Sequence, residues 1–351
     1  MNELTNRAWP VVRILLVPYL LFMFLLFYPI DYEIDAPGGI TEVSRTIEIA
    51  YNQDKVIEGS ISTTYIMAIP RTTFFMFITG YFNPYVTISK LSTGNASYTN
   101  DELRQISYLD KETSVDASII VAYQAASLVN PEVEIGYVSK ILVFGKAEYL
   151  SHYDEIEFGD EFVQVLGDDG AIVTDIAGIA AATALLDAYD FTFKNADGED
   201  YTLTLAKDTA TGKFGVTLKT YHLVDREATY PLYENPQSNI GGPSGGLLQT
   251  LYVYNILVTE DVTRGLKIAG TGTIGYDGSA GYIGGVRQKI LTAWFAGVDV
   301  FFIPHLDDGY YNDNYVEALR VCEDVGIDPE GWLIGVASFQ DVLDRLAERG
   351  E

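Results

Sequence analysis

A chain of 351 residues with a net charge of −27 and a pI near 4.3 is long enough for two or three domains, each with its own apolar core. Its acidic balance repels phosphate backbones and excludes a nucleic-acid partner. The single cysteine, Cys322, excludes an internal disulfide, and three histidines without an H-E-x-x-H or C-x-x-C pattern leave no metal site to build. Cys322, beside Ala318, Leu319 and Val321, reads as a small buried hydrophobe.

In chain order, Val11 to Ile30 is apolar except for Arg13, Pro18, Pro29 and two tyrosines. A helix of that length spans about 30 Å, the thickness of a bilayer's hydrocarbon core. Trp9 and Tyr28 stand near its ends, Arg7 and Arg13 at its start, and Asp31, Glu33 and Asp35 after it. The positive-inside bias then makes residues 1–10 a cytoplasmic N-terminus, 11–30 a transmembrane helix in lipid, and the remainder extracellular. No small-x-small cleavage site precedes Asp35-Ala36-Pro37, so a retained anchor is expected rather than a signal peptide. Phe74 to Ile78 is a second apolar run, too short to cross a bilayer.

Residues 31–131 read as an external N-terminal region. It has strands over Thr46–Tyr51 and Ser60–Ile69 and an Ala- and Val-rich helix over Thr113–Leu128, closed by Asn130-Pro131. Residues 132–220 read as a second unit. Val133–Leu142, Glu161–Leu166 and Tyr201–Leu205 suit strands, and Ile176–Leu186 suits a buried helix.

The region 221–351 carries the chemistry. Gly242-Pro243-Ser244-Gly245-Gly246 precedes Leu247–Val258, which is apolar at nine of twelve positions and predicts a buried helix. Ser244 therefore lies on a glycine-rich turn at a helix N-terminus, where free amides and the helix dipole favour an oxyanion. Alone, the stretch also fits a flexible linker or a serine N-cap. After Ile283-Gly284-Gly285, the residues Val286, Ile290, Ala293 and Trp294 recur on one helical face, and Lys289 projects onto it. An apolar surround disfavours an ammonium, so such a lysine can serve as the base for a serine; alone, it also fits a snorkelling side chain. Between them Leu266–Ile274 reads as a strand, followed by an Asp277-Gly278 turn, and Thr271 is placed to hold the amine. Lys267, on that strand, is the rival base. His222 and His305 are the alternative for a histidine-based hydrolase.

Together these segments resemble the proteolytic domain of the Lon peptidases, which carries G-P-S-A-G at the nucleophile and I-G-G-x-x-x-K at the lysine. Here Gly242–Gly246 and Ile283–Lys289 match them in order, with Ser244 and Lys289 45 residues apart and Thr271 matching the family's T-G-x-I segment. Two departures are Gly245, where the family has alanine, and Gly241, where ATP-dependent members carry an acid. The whole chain is similar to the membrane-anchored PDZ–Lon-type serine peptidases of Gram-positive bacteria, the pheromone-processing group, with a Pro-Gly near the start of the external region (Ala36-Pro37-Gly38-Gly39). Ile135-Gly136-Tyr137 resembles a PDZ carboxylate-binding loop, and Ile156–Phe162 resembles the L-x-x-G-D-x-I segment of PDZ domains.

The resemblance implies an α+β multidomain chain: a transmembrane helix, a PDZ-like domain at 132–220 and a Lon-type proteolytic α/β domain at 221–351. It implies an ATP-independent serine endopeptidase without cofactor or metal, since no G-x-x-x-x-G-K-[ST] occurs in these residues. Ser244 would be the nucleophile, Lys289 the base, Thr271 the orienting residue, and Gly242, Pro243 and Gly245 the substrate and oxyanion turn. Expected partners are peptides or proteins at the cell surface, and the resemblance admits a homo-oligomer. The alternative from another class is a surface scaffold with an inert Lon-like domain.

Overall fold

The computed structural model describes residues 2–236, 240–306, 309 and 312–349; in the first helix, side chains are described at residue 9 and from 13 to 27. That helix, α1, runs Asn2–Phe27. Its apolar side chains from Ile14 onward are mostly exposed. Among the described residues, no helix is long and apolar enough to cross a membrane. The side chains of Val11 and Val12, which open the expected span, lie outside the described set, as do those of the expected cytoplasmic segment apart from Trp9. The helix also stops before Pro29, whose backbone bridges to Thr73.

Strand β1 (Tyr32–Glu42) follows, then β2 (Ser60–Ile69), the short helix α2 (Phe74–Tyr81), β3 (Thr87–Lys90) and the long helix α3 (Asn100–Ser127). The run at Phe74 is thus a helix capped by Thr73, whose hydroxyl accepts from the Met76 amide. Helix α3 starts well before Thr113, because Thr99 and Glu102 form a capping box there. The strand expected over Thr46–Tyr51 shrinks to Glu48–Ile49, which pairs with Tyr233–Glu234. β1 bulges between Pro37 and Gly39, where a Cβ on Gly38 or Gly39 would come within 2.5 Å of Tyr65.

The chain then forms a separate antiparallel sheet from β4 (Glu134–Lys146), β5 (Glu161–Leu166), β6 (Ala188–Lys194), β7 (Asp200–Ala206) and β8 (Val216–Tyr230), in the order β8-β4-β5-β6-β7. This unit therefore extends ten residues beyond 220. Its one helix, α4 (Ile176–Ala182), is shorter than the expected Ile176–Leu186 and has no buried residue. The Asp168 carboxylate accepts from the Ala184 and Leu185 amides, and the Lys207 amine bonds the Thr183 and Leu186 carbonyls, so the chain past Ala182 has better partners than another helical turn. The Gly159-Asp160 pair has a structural role. Gly159, at φ +94°, turns the chain so that its amide reaches the Val143 carbonyl at 2.9 Å, and buried Asp160 accepts from the Glu157 amide and the Tyr201 hydroxyl.

Past Tyr230 the chain rejoins the first body through α5 (Gly246–Leu257), β9 (Lys267–Gly270), α6 (Val286–Ala296), β10 (Val300–Pro304), α7 (Asn314–Val325), β11 (Leu333–Val336) and α8 (Phe339–Glu348). One mixed sheet, β11-β10-β9-β2-β1-β3, combines strands from both ends of the chain. β9 pairs parallel to β2 on one side and to β10 on the other. Residues 31–131 are therefore not a separate region, which corrects the expected division: β2 lies in the middle of the sheet that the later strands complete. Alternate residues explain why these strands are apolar throughout. Ile268, Val300 and Phe302 join the core under α3, α5 and α8, while Ala269, Phe301 and Ile303 join a second core under α6 and α7.

Asp160→Ala strands the Tyr201 hydroxyl and the Glu157 amide. A loss of about 1–3 kcal/mol is expected in the 134–230 sheet, read as reduced hydrogen-exchange protection there and not in α5 or β10.

Candidate functional site

Ser244 sits two residues before α5, half-buried, on the turn that the glycines permit. Gly242 adopts φ +86°, and its amide donates to the Ser107 carbonyl at 2.8 Å, so this amide is not a free oxyanion donor as expected. Pro243 has no N–H; its carbonyl accepts from the Ser114 hydroxyl at 3.1 Å, tying the turn to α3. Among the described residues, none accepts a hydrogen bond from the amides of Ser244 or Gly245, which leaves those two donors available. A Cβ on Gly245 would lie 3.1 Å from the Thr63 methyl, so glycine spares Thr63 a displacement that alanine would require. Asn239, at the start of the motif, lies outside the described residues.

Lys289 belongs to the first turn of α6, which begins at Gly285 in the left-handed region (φ +68°), with Ile66 against the place a Cβ would take. Val286, Ile290 and Ala293 are buried as their spacing predicts, whereas Trp294, expected on the same face, is 42 % exposed, and Lys289 is 2 % exposed. Gln288 is buried too, because β1 and β3 cover it; its amide donates to the Asp35 carbonyl and the Thr87 hydroxyl. The Lys289 amine donates to the Thr271 hydroxyl at 3.0 Å, and that hydroxyl donates to the Ser244 carbonyl at 3.0 Å. Thr271 has one proton and spends it on Ser244, so it presents only lone pairs to the lysine. Residue Gly272 adds its amide to the same carbonyl at 2.8 Å. Serine turn and lysine helix are thus joined through one buried threonine.

Ser244 and Lys289 line one cavity of about 660 Å³, with Thr63–Ala68 of β2 as a wall and Lys111 and Gly241 across it. Burial lowers the Lys289 pKa to about 7. Asp35 of β1 opposes that shift by its charge, and burial, with Glu33 beside it, raises the Asp35 carboxyl to about 6. Asp35 Oδ1 is buried without a hydrogen-bond partner. At pH above 7 the pair is a carboxylate beside a neutral amine, which is a base with its lone pair available.

Residues 234–317 match the family model described as the Lon protease (S16) C-terminal proteolytic domain. A Lon proteolytic domain is present. The chain is similar to the Lon protease of Malacoplasma penetrans, 31% identical over 101 residues, and to that of Ureaplasma parvum serovar 3, 36% identical over 72. Those alignments cover 29% and 20% of this chain but only 12% and 9% of the two relatives. The matched Lon segment includes Ser244, Thr271 and Lys289, and it supports a serine peptidase. It includes neither β1 nor β2, so Asp35 and one cavity wall come from outside the recognised Lon segment.

Other expected residues lie elsewhere. Ile135-Gly136-Tyr137 is not a turn of free amides: these are β4 residues, with Gly136 opposite Asp225 and its amide donating to the Thr229 hydroxyl at 3.2 Å. Lys267 is exposed at the start of β9. His222 meets Ser139 in the 134–230 sheet, and His305 meets Asp313; neither lines the Ser244 cavity. Among the described residues, no His, Cys, Asp and Glu group could hold a metal. Asp35 was missed because nothing in its sequence neighbourhood tells that β1 passes α6.

The folded pKa of Lys289, near 7, lies below the unfolded value of about 10.4, so between those pH values the unfolded chain binds more protons and stability rises with pH. Lys289→Met removes that burden. It is expected to stabilise the main body by a few kcal/mol at pH 6 and by much less at pH 10, measured by denaturant unfolding at both.

Proposed function

We propose that the chain is an ATP-independent serine endopeptidase in which Ser244 attacks a peptide carbonyl and Lys289 is the general base. The observation that carries this reading is the buried Lys289 amine, bonded to Thr271 and sharing a cavity with Ser244. Neutral Lys289 takes the hydroxyl proton as the Ser244 oxygen bonds to the carbonyl carbon. The free amides of Ser244 and Gly245 receive the oxyanion. Lysine then returns the proton to the departing amine, and water, activated the same way, hydrolyses the ester. Thr271 fixes the amine by accepting one of its protons.

The cavity wall suggests how a substrate lies. β9 pairs with β2 only as far as Thr63, so on that side the backbone edge of Tyr65–Ala68 faces the cavity unpaired among the described residues. An extended peptide can add there as a strand, which favours flexible segments over folded ones. Absence of a nucleotide-binding P-loop in these residues fits the same preference.

The 134–230 unit is read as PDZ-like. Beside α4 it has an apolar pocket of about 470 Å³ that includes Ile179, Phe191, Phe214 and Leu218, where a peptide end can dock. Residues 11–30 are read as a membrane anchor with the N-terminus cytoplasmic and the catalytic body outside, on the basis of their apolar sequence and flanking charges.

Ser244→Ala and Lys289→Ala are each expected to lower kcat/KM on an unstructured peptide by at least about 10³-fold, with ATP without effect. Equal cleavage by both variants and the native chain overturns the reading. The rate should rise with pH through about 7, where Lys289 loses its proton. In Asp35→Asn this limb should move to lower pH, because the charge that holds the proton on the lysine is gone.

A further inference from the structure

Charged residues make up 20% of the chain, yet none occurs from Thr72 to Ser89. That segment contains α2 and the turn after it, and it places much of its apolar surface in the open. Tyr81 and Phe82 are 75% and 78% exposed, with Phe74, Phe75, Ile78 and Tyr85 beside them. The end of α6 extends the same face: Phe295, 72% exposed, meets Tyr85 edge-on at 6.4 Å. The opposite end joins α1, where Phe22 meets Phe75 at 6.5 Å. Two of the neighbouring cations are already engaged, while Lys90, just past the segment, is exposed. Arg71 lies 3.8 Å from Asp31, and Arg287 reaches the Pro84 carbonyl and the Asp324 carboxylate.

We propose that this aromatic face rests in the headgroup region of the bilayer that α1 enters, and so holds the catalytic cavity close to the lipid surface. The proposal rests on the membrane-anchor reading above. Its occupant is the lipid interface because the face is continuous with the exposed apolar side of α1, carries no charge from Thr72 to Ser89, and is rich in the phenol and phenyl rings that favour that depth. Helix α6 sets the height. Lys289 and Phe295 are six residues apart on it, a rise of about 9 Å. Substrates would then be segments that emerge directly from the membrane, and a peptide in free solution would approach from the far side of the cavity.

The test uses the full chain in phosphatidylcholine vesicles, spin-labelled at Leu20→Cys in α1, at Phe82→Cys in the face, or at Leu185→Cys, which is exposed in the 134–230 unit. Access of oxygen, which partitions into lipid, is compared with access of a water-soluble nickel chelate; the native chain controls for labelling of buried Cys322. The expected oxygen-to-nickel ratio at Phe82→Cys is severalfold above that at Leu185→Cys and below that at Leu20→Cys. A lipid-like Leu20 label with Phe82 as aqueous as Leu185 overturns the proposal and leaves the anchor standing. Aqueous labels at both Leu20 and Phe82 overturn the anchor and the proposal together. Shielding of Phe82 from both probes means that protein covers the face, a second copy or another partner, and likewise overturns the proposal.

Discussion

A primary amine held out of water is the constraint around which this molecule is arranged. An ammonium in that place would be poorly solvated, so the fold supplies a neutral amine and keeps it ordered by one hydroxyl, that of Thr271. Thr271 is itself fixed at both ends: its amide donates to Phe302 of β10 and its hydroxyl to the turn carrying Ser244. The position of the serine and the orientation of the lysine therefore depend on the same residue. Disturbance of β9, which delivers Thr271, reaches both.

The carboxylate of Asp35 explains why the lysine is not pushed further down. Burial alone would drive the amine to lose its proton at a lower pH, and the nearby negative charge restores part of the difference. β1 thus tunes an amine that α6 carries, although the two segments are about 250 residues apart in sequence. Glu33 contributes indirectly, by raising the carboxyl of Asp35.

Local signals in the sequence locate the serine turn, the threonine and the lysine helix, because each is set by glycines or by apolar spacing within a dozen residues. Ser60–Ile69 and Glu161–Leu166 are strands with the boundaries their patterns predict. What the sequence does not disclose is which segments meet. Residues 31–131 read as a region of their own because nothing local tells that β2 pairs with β9, some two hundred residues later. Ile135-Gly136-Tyr137 reads as a loop because a glycine between apolar residues suits a turn; the long β8 instead takes it into a ladder. Helix α4 is shorter than its alanine-rich composition suggests because Asp168 and Lys207, on other segments, take over its backbone groups.

The shared sheet has a consequence for the order in which the cavity is assembled. β1, β2 and α3 are made first, yet three of the four other strands of the sheet, together with Ser244 and Lys289, come after the 134–230 unit has been synthesised. A nascent chain therefore carries one cavity wall and Asp35 long before it carries Ser244, Thr271 or Lys289. The cavity is complete only once β9 pairs with β2 and brings the late residues against the early wall.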